Sequence, residues 1–172
     1  MKIIVIGAGS IGKRHIKNLA NLEMDIDLTV IDPSNSVCAE IKCKFEVNTF
    51  LSIEAAIKCN QYDVAFICSP SYLHVSQAII LAKAGCHLFI EKPLSLHLEE
   101  AITLVPIIKK YKIQVMIGCN LRFHPGVIHM SSALKLGLIG RPLYARAQFS
   151  HYLPNWRPGQ DYKKTYSANK DQ

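Results

Sequence analysis

The chain has 172 residues, 49% of them hydrophobic and 19% charged, with a formal net charge of +7 and a pI of about 9.1. That hydrophobic share supports a sizeable core and excludes a disordered chain, and no apolar run reaches the roughly 18 residues of a membrane span. The basic residues are dispersed rather than interleaved with aromatics, which argues against nucleic acid as a partner and leaves solvated helix faces as their explanation.

In chain order, Lys2-Ile3-Ile4-Val5-Ile6 is a β-branched run that predicts a strand buried on both faces. It runs into Gly7-Ala8-Gly9-Ser10-Ile11-Gly12, and a helical pattern follows with Gly12, Ile16, Leu19 and Ala20 on one buried face. A second strand over 28–32 ends in Asp32. A short helix over 36–43, a brief strand over 45–47 and a helix over 52–58 come next. The apolar run 63–68 predicts a strand that breaks at Ser69-Pro70-Ser71. The helix over 71–84 carries Val75, Ala78, Ile79 and Ala82 on one face, with Gly85 in the place of a C-terminal cap. Residues 87–90 form the fifth strand, ending in Glu91-Lys92-Pro93. A helix from about 98 to 110 contains Pro106, which should kink or shorten it. The sixth strand covers 113–118, and a helix over 126–136 ends in a turn at 137–140.

Strands alternating with helices predict an α/β fold, a Rossmann-type doubly wound parallel sheet. The pattern changes after Pro142: residues 143–150 are apolar at 143, 145, 147 and 149, as in a half-buried strand, and 151–172 are polar. The expected organisation is a dinucleotide-binding domain over 1–120, then a linker helix and the first strand of a truncated second α+β domain over 121–172. The strand at 143–150 would present an unpaired edge, which favours a homo-oligomer for the full-length protein.

The glycine turn fits G-x-G-x-x-G in the strand–turn–helix context that makes it a dinucleotide fingerprint. Gly7 permits the tight turn, Gly9 lets the backbone approach a pyrophosphate, and Gly12 lets the helix pack close to the sheet. Asp32, 20 positions after Gly12, is placed to hold the adenosine ribose hydroxyls and to repel a 2′-phosphate, so NAD is favoured over NADP. Six cysteines without a C-x-x-C pair indicate a reducing compartment, and no metal site is expected from them. Without a signal-peptide cleavage site or a membrane span, the expected localisation is cytoplasmic.

Gly-Ala-Gly-Ser-Ile-Gly-Lys-Arg-His at 7–15, Ser-Pro-Ser-Tyr-Leu-His at 69–74 and Glu-Lys-Pro-Leu-Ser at 91–95 together resemble the Gfo/Idh/MocA family of NAD(P)-dependent oxidoreductases. Asn-Leu-Arg-Phe-His-Pro at 120–125 and Asn-Trp-Arg-Pro at 155–158 extend the resemblance over the chain. It implies a dehydrogenase acting on a secondary alcohol or ketone of a small sugar-like substrate: a sugar, nucleotide sugar or cyclitol. It also implies that Lys92 is the catalytic lysine, hydrogen-bonded to the reacting oxygen. Cofactor contacts then fall to Gly7, Gly9, Ser10, Ile11, Gly12, Asp32, Ser69, Pro70, Leu73, His74, Glu91, Lys92, Pro93, Asn120 and Arg122. Trp156 and Arg157 are either a linker anchor or a ligand contact. In the resembling family a second domain adds an Asp and a His to the catalytic group. Here Asp161 and His151 are the only nearby residues of those types, and neither has that context. A non-catalytic dinucleotide-binding module is therefore the alternative.

Overall fold

A computed structural model describes residues 1–155, 159 and 161–164. Six parallel strands, β1 (Lys2–Ile6), β2 (Asp27–Ile31), β3 (Asn48–Phe50), β4 (Val64–Ile67), β5 (His87–Ile90) and β6 (Val115–Ile117), form one sheet in the order β3-β2-β1-β4-β5-β6. Five helices accompany them: α1 (Ser10–Ala20), α2 (Asn35–Phe45), α3 (Ile53–Cys59), α4 (His74–Lys83) and α5 (Leu98–Tyr111). The order reverses at β1 and β4, which is the Rossmann-type doubly wound fold.

Alternation along the strands divides the core into two layers. Ile3 and Val5 of β1 pack with Ile16, Leu19 and Ile41 of α1 and α2, whereas Ile4 and Ile6 pack with Ile53, Ala78, Leu81 and Leu104 of α3, α4 and α5. Successive side chains point to opposite faces, so a strand covered by helices on both sides must be apolar at every position. This is why β1 reads as an unbroken apolar run. On α1, Gly12, Ile16 and Leu19 are buried as expected, but Ala20 is exposed at the last turn.

Three expectations need correction. The third strand is Asn48–Phe50 rather than 45–47: α2 continues through Phe45, and Glu46 ends it in a left-handed conformation (φ 52), donating its N–H to the Lys42 carbonyl. Pro106 does not shorten α5, which runs on to Tyr111. Residues 143–150 are not a strand. A strand exists through its ladder, and among the described residues this segment has no pairing partner.

The chain divides into two compact units, Met1–Gly118 and Cys119–Gln172. Within the second, a short 3₁₀ turn (Asn120–Phe123) precedes α6 (Pro125–Lys135). His124 caps α6, its Nδ1 accepting the Gly126 N–H at 3.1 Å, and Pro125 occupies the first turn. Among the described residues, no helix is long and apolar enough to cross a membrane.

Candidate dinucleotide site

Open α/β sheets bind ligands beyond the carboxyl ends of their strands, at the point where strand order reverses. In the first unit, that edge is made by the turn after β1, Asp32 after β2, Ser69 after β4 and Glu91-Lys92-Pro93 after β5.

The turn is held by what its glycines omit. Gly7 has φ +88, and a Cβ there would meet the Ser69 nitrogen at 2.9 Å. A Cβ on Gly12 would run into the Gly7 carbonyl oxygen. Both positions therefore require glycine, one for conformation and one for approach. Gly9 differs: nothing lies within 4 Å of its would-be Cβ, so the space above it is open. Gly9 is also the N-cap of α1 and supplies no capping side chain. The first bond of the helix ladder is donated by Lys13 to the Gly9 carbonyl at 2.9 Å. The N–H groups of Ser10, Ile11 and Gly12 precede it, uncapped by any side chain, at the positive end of an 11-residue helix. An open glycine surface before an uncapped helix N-terminus suits a pyrophosphate.

Asp32 is half-buried and fixed by two backbone donors: Ala8 N–H to Oδ2 at 2.9 Å and Ser34 N–H to Oδ1 at 3.0 Å. It ties the end of β2 to the glycine turn, and each carboxylate oxygen keeps a further lone pair for a ribose hydroxyl.

On the other side of the turn, Ser69 is tied down through its hydroxyl, which donates to Gln77 Oε1 at 2.6 Å. Pro70 is exposed and Leu73 half-buried in the 3₁₀ turn Ser71–Leu73 that leads into α4. His74 was expected beside the cofactor, yet its ring is turned inward and the residue is 1% exposed. Nδ1 lies 2.8 Å from the Pro93 carbonyl oxygen and Nε2 2.9 Å from that of Ser69. With both nitrogens on carbonyls, the side chain has no polar atom left for a ligand. Carbonyls only accept, so a ring nitrogen that carries a proton donates it to the carbonyl it faces. His74 joins the loop after β4 to the loop after β5.

Glu91 is half-buried, and its carboxylate is held from three directions. His15 Nε2 donates to Oε1 at 2.8 Å, the Lys92 N–H donates to Oε2 at 3.2 Å, and the Gly118 backbone lies close behind. Lys92 and Pro93 are exposed. Burial pushes the nearby Cys68 thiol up to about 12, with the Glu91 charge adding to the shift. The contribution of His15 and the approach of Gly118 to Glu91 were not legible from spacing. His15 stood inside the quoted motif, three residues after Gly12, and that was the only signal. Asn120 and Arg122 lie in the second unit, and Trp156 and Arg157 lie outside the described residues.

The sheet order and the glycine turn are those of a Rossmann-type nucleotide-binding domain. Residues 1–119 match the model of the oxidoreductase family with an NAD-binding Rossmann fold, and the chain belongs to that family, Gfo/Idh/MocA. It is 32% identical over 143 residues to the myo-inositol 2-dehydrogenase of Thermotoga maritima, covering 83% of this chain and 43% of that protein. It is 28% identical to the UDP-N-acetylglucosamine 3-dehydrogenase of Acidithiobacillus ferrooxidans, covering 86% of this chain and 45% of that one. The solved scyllo-inositol dehydrogenase of Lactobacillus casei, with bound NAD(H) and scyllo-inositol, superposes with a TM-score of 0.76 at 26% identity, over 81% of this chain and 42% of that one. The chain thus spans less than half the length of these relatives.

Proposed function

We propose that this chain is the cofactor-binding part of a dehydrogenase that moves a hydride to or from a secondary alcohol or ketone of a sugar, nucleotide sugar or cyclitol, with NAD preferred to NADP. The observation that carries this is the placement of Asp32 and Lys92 on opposite sides of one open, uncapped glycine turn. The pyrophosphate would lie on the N–H groups of Ser10, Ile11 and Gly12. Asp32 would accept from the adenosine ribose, and its negative charge disfavours a 2′-phosphate. Ser69, Pro70, Leu73, Glu91 and Pro93 would line the other half of the cofactor, and Asn120 and Arg122 join them by the family resemblance. The nicotinamide, when bound, supplies or accepts the hydride. Lys92 would donate a hydrogen bond to the substrate oxygen and hold the proton that leaves or joins it. The names of the similar proteins support the substrate class. Six free cysteines support a reducing, cytoplasmic setting.

A test of the purified protein follows NADH formation with a panel of inositols, sugars and nucleotide sugars. Lys92→Ala should lower kcat by about 10²–10⁴-fold, the usual weight of acid–base catalysis. NAD binding without turnover on any of these substrates would favour the non-catalytic module instead.

A further inference from the structure

His15 is the one ionisable side chain of α1 that reaches across to the far half of the site. Its ring lies over two aromatics of the sheet, 5.5 Å from the centroid of Phe66 on β4 and 5.1 Å from that of Phe89 on β5. Phe66 and Phe89 are themselves stacked at 4.8 Å. Phe89 and Glu91 are two residues apart, so they share a face of the chain, and Nε2 of His15 lands on Glu91 Oε1 at 2.8 Å. Both partners are largely withdrawn from water, with side chains 18% and 13% exposed, so solvent competes poorly for this bond. Packing on the two phenylalanines could be served by any ring; the directed bond to a carboxylate is what histidine adds.

Topology gives that bond a consequence. A dinucleotide that leaves its adenosine on the β2 side of the turn must extend its other half toward β4 and β5. Glu91 and Lys92 stand there, and the Glu91 carboxylate also accepts the Lys92 N–H. We infer that His15 is a positioning residue for the nicotinamide half of the cofactor: through Glu91 it locks the Glu91-Lys92-Pro93 loop to the same helix whose N-terminus receives the pyrophosphate. This rests on the dinucleotide function proposed above.

The test compares NADH with ADP-ribose, which has the adenosine and pyrophosphate but no nicotinamide. His15→Phe keeps a ring against Phe66 and Phe89 and removes the donor; His15→Gln restores an N–H near the Nε2 position. Titrated against the purified chain, His15→Phe should weaken NADH binding about tenfold and leave ADP-ribose affinity within about twofold, as expected for one lost bond to a charged group. His15→Gln should recover most of the loss. In a Glu91→Ala background, His15→Phe should add nothing further. Equal weakening of both ligands would mean simple damage to α1 and would overturn the inference, as would no weakening of either. If the parent chain bound neither ligand, the dinucleotide function itself would fall, and this inference with it.

Discussion

At Gly12 one methyl group decides whether the turn can close, because a Cβ there collides with the Gly7 carbonyl. Such constraints are legible in sequence, since only glycine meets them. Thiol chemistry is not legible in this way, because it depends on burial. Burial holds Cys68 up at about 12, with Glu91 adding, and Cys86 up at about 11, with Asp63 adding, both from an ordinary value near 9. The folded chain therefore keeps both thiols neutral over a range in which the unfolded chain ionises them. Their stabilising contribution is complete below about pH 9 and is lost as pH rises toward 11 and 12, by about 1.4 kcal/mol per pH unit for each thiol. Urea midpoints across the alkaline range should fall accordingly, and Cys86→Ala should remove one thiol's share of the slope. An unchanged slope in that variant would contradict the assignment. His74 marks the opposite limit: a helix-start histidine could be picked out from sequence, but not the two carbonyls that occupy its ring.

At the scale of elements, periodicity located the strands and helices because each face is either buried or wet. Boundaries slipped where a backbone conformation intervened, as at Glu46, whose left-handed cap moved the third strand three residues along. α5 contains both kinds of outcome. Leu104 is 1% exposed against the sheet, whereas Ile102, Val105 and Pro106 face solvent. Proline removes one N–H, and on the solvent side water can serve the freed carbonyl, so the helix survives at a cost. Pro106→Ala should therefore stabilise the chain by about 1–3 kcal/mol, while Leu104→Ala should destabilise it by about 2–5 kcal/mol. Chemical denaturation of the two variants checks both signs. A loss of stability in Pro106→Ala would show that the proline shapes the helix rather than burdening it. Alternation alone misled at 143–150, because apolar residues at every second position predict a strand only when a neighbour is there to pair with it. Leu143 and Phe149 are instead 89% and 82% exposed.

For the whole molecule, the doubly wound sheet places the chemistry. The strand order β3-β2-β1-β4-β5-β6 puts Asp32 and Lys92 on opposite sides of the glycine turn. Each residue could be picked out in the sequence, but their separation by the turn is a property of the sheet. The family match over residues 1–119 agrees with the Rossmann-type fold. The substrate was not legible in the same way, since the chain spans only 43% of the myo-inositol dehydrogenase it resembles. The central claim is that the uncapped turn binds a dinucleotide with its adenosine toward Asp32. Calorimetric titration of the folded chain with NADH and with NADPH tests it most directly. The account predicts saturable, near-stoichiometric binding of NADH in the micromolar to submillimolar range and weaker binding of NADPH, with the gap narrowed in Asp32→Ala. A folded sample that gives no binding heat at millimolar NADH would contradict it.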